Sequence, residues 1–415
     1  MTNLAAPAPG TRIFFLGDEA ILFSEPRQEL HSLNTVAAVI WCLLQEGLTQ
    51  PAIAQDLVTR FTIPLPTAVS FVATALADWD AKGLLANTKG PTRRPASPGW
   101  APRPGLPPYP GITPPPAATR TYRLLTTRFA VRFTTTAQFA LLHPVLAHLE
   151  QPGASDISFD LIPAGDATIL YCDKLPLEAC ASDQMLVPMA YACIWMTTLR
   201  RHEFFLNIHA GVLRSPAGCV LLPAPPGSGK STLTAALVHT GVDYFSDEVA
   251  LLSGNDLHVA PFPQAICLKE SGIPAVAAFC PEAARLPLHL RADGKHVAYL
   301  PPPPERLPKS NATGTVRALI FSRYAAGAET RCTTLPKTTA LARLLDQCTV
   351  LACDRTGGDH PVRESPAQIE QRLDAALVGR LITWIERLEC RELVYGATAD
   401  GVAAVQAALI PLRSR

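Results

Sequence analysis

The stretch Ala224–Ser231 reads APPGSGKS and has the spacing of a phosphate-binding loop. Gly227 and Gly229 can take backbone conformations that a side chain forbids, so successive N–H groups can turn toward one anion. Lys230 would place a positive charge near the β- and γ-phosphates, and Ser231 would offer its hydroxyl oxygen to Mg²⁺. The motif therefore predicts a site for a nucleoside triphosphate, with ATP and Mg²⁺ as the implied cofactors.

The elements around this loop fit the same interpretation. An apolar strand, 218–223, is predicted before it, and a helix, 230–240, is predicted after it and ends at Gly241. A helix N-terminus favours negative charge through its dipole and its unpaired N–H groups. Ala224 stands where the first glycine of the Walker A pattern is usual. Because motif and flanks agree, we favour a phosphate site over a plain glycine turn, with nucleotide-binding residues Ala224, Pro225, Pro226, Gly227, Ser228, Gly229, Lys230, Ser231 and Thr232.

Two adjacent carboxylates, Asp247 and Glu248, come at the end of the strand that follows this helix, within the run 243–252. Strand ends beside a phosphate loop are where metal ligands and proton-accepting carboxylates lie. One could hold Mg²⁺ while the other accepts a hydroxyl proton, although adjacent carboxylates also occur on solvated surfaces. His209 precedes the loop strand, and a single histidine is more often a packed core residue than a functional one.

The composition divides the chain into three parts. Residues 1–87 predict a small α+β, winged-helix-like domain with strands at 12–16, 20–23 and 28–33 and helices that begin after Asn34, at 51 and at 66. Residues 88–118 are rich in Pro and Gly and predict an extended, semi-rigid linker. Residues 119–415 predict a large α/β domain, with a leading subregion 119–205, a nucleotide-binding core 206–325 and a C-terminal region 326–415. Within this domain the pattern predicts strands at 207–213 and 243–252, an irregular segment at 261–310, and helices at 337–348 and 366–388.

Bulk properties narrow the function classes. The 415 residues are 48% hydrophobic and 17% charged, with a formal net charge of +1, which predicts a globular protein with no nucleic acid or acidic membrane surface as partner. Eleven scattered cysteines predict reduced thiols in a cytoplasmic protein. The N-terminus lacks the features of a secretory signal, and the apolar run 185–199 is too short to span a membrane.

Three sequence motifs resemble the HPr kinase/phosphorylase superfamily, and in particular its HPr-kinase-related group A. They are IHAGVL at 208–213, LLPAPPGSGKSTLTAAL at 221–237 and YFSDEVALL at 244–252. The stretches 261–271 and 294–304 are also similar to later motifs of that group. The resemblance covers about residues 120 to 410. It implies an α/β P-loop kinase fold related to phosphoenolpyruvate carboxykinase, and direct transfer of the ATP γ-phosphate to a serine hydroxyl.

The resemblance also implies roles for individual residues. Asp247 would accept the proton, His209 would tune the acidic pair, and Ser231 and Glu248 would bind Mg²⁺, with Lys230 as the third catalytic residue. Glu248 replaces the second aspartate of the family pattern, which leaves open which carboxylate is base and which is ligand. A weaker carry-over places Lys269 and Lys295 near phosphate or substrate. The HPr-specific regulatory parts are absent from the pattern, so HPr itself is not favoured as the substrate, and a homo-oligomer is compatible with the family.

The N-terminal part resembles the PqqD family through HSLNTVAAVIWCLLQEGLTQ at 31–50 and LADWDAKGLL at 76–85. This resemblance implies recognition of the leader of a ribosomally made precursor peptide, added as a strand to a sheet edge beside a helix. The predicted edge is 28–33 and the predicted groove wall is the helix 66–82. On this helix we expect one apolar face, made by Val69, Val72, Leu76 and Trp79. The same apolar residues would also serve as an ordinary core.

Together these features favour an ATP-dependent kinase that phosphorylates a Ser or Thr of a peptide delivered by its own PqqD-like domain. In this hypothesis the linker tethers the bound peptide near the active site and raises its effective concentration. The alternative is a nucleotide-gated peptide chaperone that transfers nothing to the peptide. A carboxykinase-type activity on a small acid is weaker, since no substrate-binding arginines or additional metal site are evident.

Overall fold

A computed structural model of the chain describes residues 6–27, 29–86, 105–111, 115–254, 257–309, 312–348, 350–351, 368–369 and 373–409. The first elements are β1 Thr11–Leu16, β2 Glu19–Ser24, β3 Glu29–Leu33, α1 Thr35–Gln45, α2 Gln50–Phe61 and α3 Leu65–Ala81. The next are β4 Ala118–Leu124, β5 Thr127–Phe133, α4 Thr136–Leu146, β6 Ile157–Ala164, β7 Ala167–Cys172, β8 Leu175–Cys180 and α5 Asp183–Leu199.

The part that carries the phosphate loop follows. Its elements are β9 Leu206–Ile208, β10 Ala210–Ser215, β11 Gly218–Pro223, α6 Lys230–His239, β12 Asp243–Ser246, β13 Ala250–Leu252, β14 Val259–Ala260, β15 Ile266–Lys269, α7 Ile273–Ala277, β16 His289–Leu290, β17 His296–Leu300 and β18 Val316–Tyr324. The last elements are β19 Arg331–Thr334, α8 Lys337–Leu345, β20 Val350–Leu351, β21 Gln368–Ile369, α9 Ala375–Glu386, β22 Glu389–Tyr395 and α10 Thr398–Leu409.

The chain divides into two compact units. The first consists of Met1–Ala96, Leu335–Asp346 and Arg372–Leu388, and the second of Ser97–Thr334, Gln347–Gln371 and Glu389–Arg415. This division differs from the sequence-based boundaries, because α8 and α9 fold with the N-terminal residues rather than with the C-terminal region 326–415. The physical reason is burial of apolar surface, since α8 packs on β2 and β3 and α9 packs on β1.

The first unit is built on the sheet β1-β2-β3. Asn34 caps α1 as the sequence predicts, with its side-chain oxygen accepting a hydrogen bond from the Ala37 N–H at 2.8 Å. Ala20 and Leu22 of β2 pack in the core with α1, α2 and α3. Ile21 and Phe23 point to the opposite face and are also buried. Both faces of β2 are therefore covered, which needs elements beyond the three N-terminal helices.

The second unit contains a six-stranded sheet in the order β12-β10-β11-β18-β22-β19. Strand β11 is parallel to β18, and β18 is parallel to β22, which places their carboxyl ends at one edge. A separate five-stranded sheet, β4-β5-β6-β7-β8, packs with α4 and α5 around one large apolar core. Two three-stranded sheets, β14-β13-β9 and β15-β17-β16, are formed by strands of the region 206–310.

Two long strands predicted from the sequence are each broken in the structure. The predicted strand 207–213 is β9 and β10 with His209 between them, and the predicted strand 243–252 is β12 and β13 with residues 247–249 between them. Strand β10 pairs with β12 in the six-stranded sheet, whereas β9 pairs with β13 in a different sheet. Both chain segments therefore pass from one sheet to the other, and His209 and the acidic pair lie at the points where they cross.

Further predictions need correction. The segment 261–310, predicted to be irregular, contains β15, β16, β17 and α7, and the sequence missed β8 and α4. The predicted helix 366–388 is α9 alone within the described residues, preceded by β21. Part of the predicted linker, 105–111, packs against the five-stranded sheet, where Leu106 and Tyr109 contact Ile162, Ile169 and Tyr171. The rest of 88–118 before 105, and residues 112–114, lie outside the described residues.

No helix in the described parts of the chain is long and apolar enough to cross a membrane.

Candidate phosphate-binding and catalytic site

The phosphate loop joins β11 to α6, as the sequence predicts. Gly227 and Gly229 both have positive φ, +90° and +87°, which is the left-handed region that glycine adopts without strain. A Cβ at Gly229 would also lie 2.6 Å from the hydroxyl of Tyr395, whereas one at Gly227 would meet no atom. Gly229 is therefore required both for its conformation and for space.

The other predicted loop residues take different places. Ala224, Ser228 and Lys230 are buried, Pro225 and Pro226 are exposed, and Ser231 and Thr232 are half-buried. The hydroxyl oxygen of Ser228 has no hydrogen-bond partner among the described residues, although it is buried in the loop. A buried hydroxyl without a partner is costly and is consistent with a ligand that would complete it. The Thr232 side chain lies against Gly272.

Lys230 and Asp247 form a buried ion pair. The Lys230 Nζ donates to the backbone oxygen of Asp247 and lies 3.3 Å from its Oδ1. Asp247 follows β12 directly, so the strand end brings its carboxylate to the first residue of α6. Its other oxygen, Oδ2, is buried without a hydrogen-bond partner in the described part of the chain. One carboxylate oxygen is thus held beside the lysine and the other is available to accept a proton.

Glu248 and His209 lie next to this pair. The Nε2 of His209 is 3.9 Å from Oε1 of Glu248, which is too long for a hydrogen bond. Burial lowers the pKa of His209, and the neighbouring Lys230 lowers it further, while Glu248 and Asp247 oppose the shift. The ring is therefore mainly neutral at pH 7. The structure brings the three predicted catalytic residues, Lys230, Asp247 and His209, together with the predicted metal ligand Glu248.

Gln347 is a member of this neighbourhood that the sequence did not indicate. Its backbone oxygen accepts a hydrogen bond from the His209 N–H at 2.7 Å, and its side chain is hydrogen-bonded to the His209 ring. Cys348, the next residue, forms an isolated bridge with Ile208. The two contacts hold the backbone at the end of β9 and at His209, where the strand breaks. No spacing rule could have linked residues so far apart along the chain.

A cationic group lies on the sheet β15-β17-β16 and its connection. Burial lowers the pKa of Lys269, and repulsion by Lys295 and Arg291 adds to the effect. The carboxylate of Asp293 lies 3.3 Å from Arg291 and 3.5 Å from Lys295. Cys267, which is half-buried, is within electrostatic range of both Arg291 and Glu248, so Arg291 lies in the region of the acidic pair. The sequence indicated the two lysines and missed Arg291.

Mg²⁺ would be held here by few protein ligands. In the described residues, no group of three or more His, Cys, Asp or Glu side chains is arranged to hold a metal ion. Mg²⁺ commonly keeps several waters and is bound by one or two carboxylates together with substrate phosphates. The half-exposed carboxylate of Glu248 and the hydroxyl of Ser231 suit that mode, and the unpartnered Asp247 Oδ2 offers a further oxygen.

The first unit contains a second candidate surface, along the outer edge of β3. The His31 side chain lies 3.5 Å from Glu29 and within electrostatic range of Lys82 and Asp78 at the end of α3. Phe71 is 42% exposed and lies two helical turns before Asp78, on the same side of α3. The edge strand β3 and this side of α3 therefore border a common surface.

One expected feature of α3 was wrong. Val69 does not share the buried face with Val72, Leu76 and Trp79, since half of its side chain is exposed. Ala68 takes the buried position instead.

Comparisons with known proteins address the N-terminal part. Residues 19–85 match the sequence model of the family described as coenzyme PQQ synthesis protein D (PqqD). The structure titled "TbiB1 in Complex with the TbiA(beta) Leader Peptide" is 22% identical, with 20% of this chain and 95% of that chain covered and a TM-score of 0.19. "Lasso peptide synthetase B1 complexed with the leader peptide" is 19% identical, with 20% and 98% covered and a TM-score of 0.19.

A search of curated proteins finds no match for this chain. The family match confirms the PqqD resemblance, and residues 19–85 form a PqqD domain in a chain of mixed α/β structure. The HPr kinase resemblance of the second unit stays a prediction.

Proposed function

We propose that this protein is an ATP-dependent kinase that transfers the γ-phosphate to a Ser or Thr hydroxyl of a ribosomally made peptide held by its PqqD domain. The buried carboxylate of Asp247 carries the proposal. It lies beside the phosphate-loop lysine and keeps one oxygen without a partner among the described residues. A nucleotide-binding loop alone would not need a second, unpaired oxygen at this position.

The chain's own residues suggest how the transfer would proceed. The N–H groups of the phosphate loop and Lys230 would hold the phosphates of ATP, and Glu248 and Ser231 would bind the Mg²⁺ that neutralises them. The acceptor hydroxyl would give its proton to Asp247 as its oxygen bonds to the γ-phosphorus. The bond from that phosphorus to the β–γ bridging oxygen would break, and ADP would leave.

The PqqD domain supplies the peptide side of the proposal. Strand β3 is at one end of the order β1-β2-β3, so an extended peptide can add to its outer edge. Phe71 offers an apolar contact beside that edge, and Glu29, His31, Asp78 and Lys82 give it charged groups of both signs. A leader peptide of the precursor would bind there, with backbone hydrogen bonds to β3 and a side chain against Phe71.

The decisive experiment uses purified full-length protein, Mg²⁺ and γ-labelled ATP in extract of its own host. Asp247→Asn keeps the backbone oxygen that Lys230 contacts, so the fold and ATP affinity should be retained. Labelling of a small peptide should fall about 10²- to 10⁴-fold, the usual contribution of a positioned base. The matched control is Asp243→Asn, at the start of the strand that Asp247 follows, whose half-exposed carboxylate forms an ion pair with Arg306 at 3.8 Å.

Equal labelling by wild type and Asp247→Asn would contradict the assignment of the base. Absence of labelled peptide with both proteins, together with intact ATP binding, would contradict the kinase and favour the nucleotide-gated chaperone.

A further inference from the structure

Two peptide oxygens of the phosphate loop are held by groups outside the loop. The N–H of Tyr324, the last residue of β18, donates to the Ser228 oxygen at 2.8 Å. The hydroxyl of Tyr395, the last residue of β22, donates to the Gly229 oxygen at 3.2 Å. Strands β18 and β22 are parallel, so their last residues lie at the same edge of the sheet, and both donors reach the loop from there.

These contacts set the direction of the loop's N–H groups. A trans peptide is planar, and its oxygen and N–H point in opposite directions. A fixed oxygen of Ser228 therefore fixes the N–H of Gly229, and a fixed oxygen of Gly229 fixes the N–H of Lys230. The Gly229 oxygen also accepts the first helical hydrogen bond, from the Leu233 N–H at 2.9 Å. With both oxygens drawn away from the loop, the two N–H groups turn toward its concave side.

The Tyr395 side chain fills a space that two glycines leave open. A Cβ at Gly229 would lie 2.6 Å from its hydroxyl, and one at Gly401 of α10 would lie 2.8 Å from its ring. The Tyr324 ring packs edge-on at 5.6 Å between centroids. Burial raises the pKa of Tyr395, which keeps the hydroxyl protonated as a donor. Because two glycines leave room for this one buried phenol, the position of its hydroxyl beside the loop is specifically accommodated.

We infer that Tyr395 is a positioning residue of the nucleotide site, which orients the Lys230 N–H toward a phosphate before the nucleotide binds. The inference rests on the proposed nucleotide site and adds a residue to it. Preorganised donors need no reorganisation when the ligand arrives, so the hydroxyl should act on nucleotide affinity and not on recognition of the peptide. Its loss should weaken MgATP binding about three- to tenfold, the range that one hydrogen bond supports.

The test compares Tyr395→Phe with Tyr171→Phe in the full-length protein. Tyr171 is a buried tyrosine of the five-stranded sheet whose hydroxyl also donates to backbone oxygen, with those of Pro107 and Pro108 at 3.2 and 3.4 Å. Both variants lose a phenol hydroxyl that donates to backbone carbonyl oxygen, and both keep the ring. MgATP affinity is measured by equilibrium titration, thermal stability by calorimetry, and amide exchange by mass spectrometry of peptides that cover the loop, β11 and α6.

We expect weaker MgATP binding and faster exchange in the loop for Tyr395→Phe alone, with both variants equally stable. Equal MgATP affinity in wild type and Tyr395→Phe would overturn the inference and leave the nucleotide site standing. A melting temperature of Tyr395→Phe far below that of Tyr171→Phe, with faster exchange through β11 and α6, would also overturn it, because the hydroxyl would then support the whole fold. Wild-type protein that binds no MgATP would overturn both the inference and the proposed function.

Discussion

His148 makes the folding stability of the second unit depend on pH. Burial lowers the pKa of its imidazole to about 4, and its Nε2 donates to the Pro263 oxygen at 2.8 Å. The unfolded chain takes up this proton near pH 6.5, so the neutral ring contributes stability above that pH and the contribution is lost as the pH falls toward 4. The loss amounts to about 3 kcal/mol, at 1.36 kcal/mol for each pKa unit.

Urea unfolding of the wild type between pH 7 and pH 4 should show this loss, and His148→Gln should show a flatter curve while it keeps a donor for Pro263. Burial lowers the pKa of other histidines too, among them His239 and His289, so the difference between the two curves is the quantity that tests the prediction. Parallel curves would mean that His148 does not contribute.

The residues of the phosphate loop could be predicted because the whole motif is local in the sequence. Its flanking strand and helix, and the positive φ of Gly227 and Gly229, follow from short-range chemistry. Tyr395 and Gln347 could not be predicted, because each reaches the site through sheet pairing or a strand break more than a hundred residues away along the chain.

At the scale of elements, the surface between β3 and α3 is the part of the PqqD domain where a peptide would add. Phe71→Ala should weaken binding of the peptide identified by labelling about tenfold or more, since burial of a phenylalanine contributes about 1.5–3 kcal/mol. The matched control is Phe15→Ala, because Phe15 is 58% exposed but lies on β1, at the opposite end of the sheet order.

Affinity is measured by fluorescence anisotropy with the labelled peptide. Equal weakening by both variants, or by Phe15→Ala alone, would move the binding surface away from β3.

Alternation and apolar runs predicted most of these elements, but not where a strand changes sheet. The runs 207–213 and 243–252 are mostly apolar, and the pattern of such a run predicts one long strand. In the structure each run serves two sheets, and the polar residues His209, Asp247 and Glu248 occupy the breaks. The polar residues that interrupt each run are visible in the sequence. The change from one partner strand to another is not, because it depends on long-range strand pairing.

At the scale of the whole molecule, the first unit is discontinuous. Its N-terminal residues are joined by α8 and α9, which lie in the chain between β19 and β22 of the second unit. The sequence predicted the long linker as the connection between domains, whereas the chain also passes between units at 334–335, 346–347, 371–372 and 388–389. Linker length is therefore not the only factor that determines the effective concentration of a bound peptide.

This organisation predicts opposite effects for two leucines that are close in the sequence. Leu381 of α9 and Leu393 of β22 are both fully buried, yet they belong to different units. Replacement of either by alanine should cost about 2–5 kcal/mol. In full-length protein, Leu381→Ala should accelerate amide exchange in β1, β2 and α1 and leave β11 protected, because α9 packs on the N-terminal sheet. Leu393→Ala should do the reverse, since β22 pairs with β18 beside β11. Exchange that rises in β11 with both variants would show that α9 belongs to the second unit, as the sequence boundaries suggested.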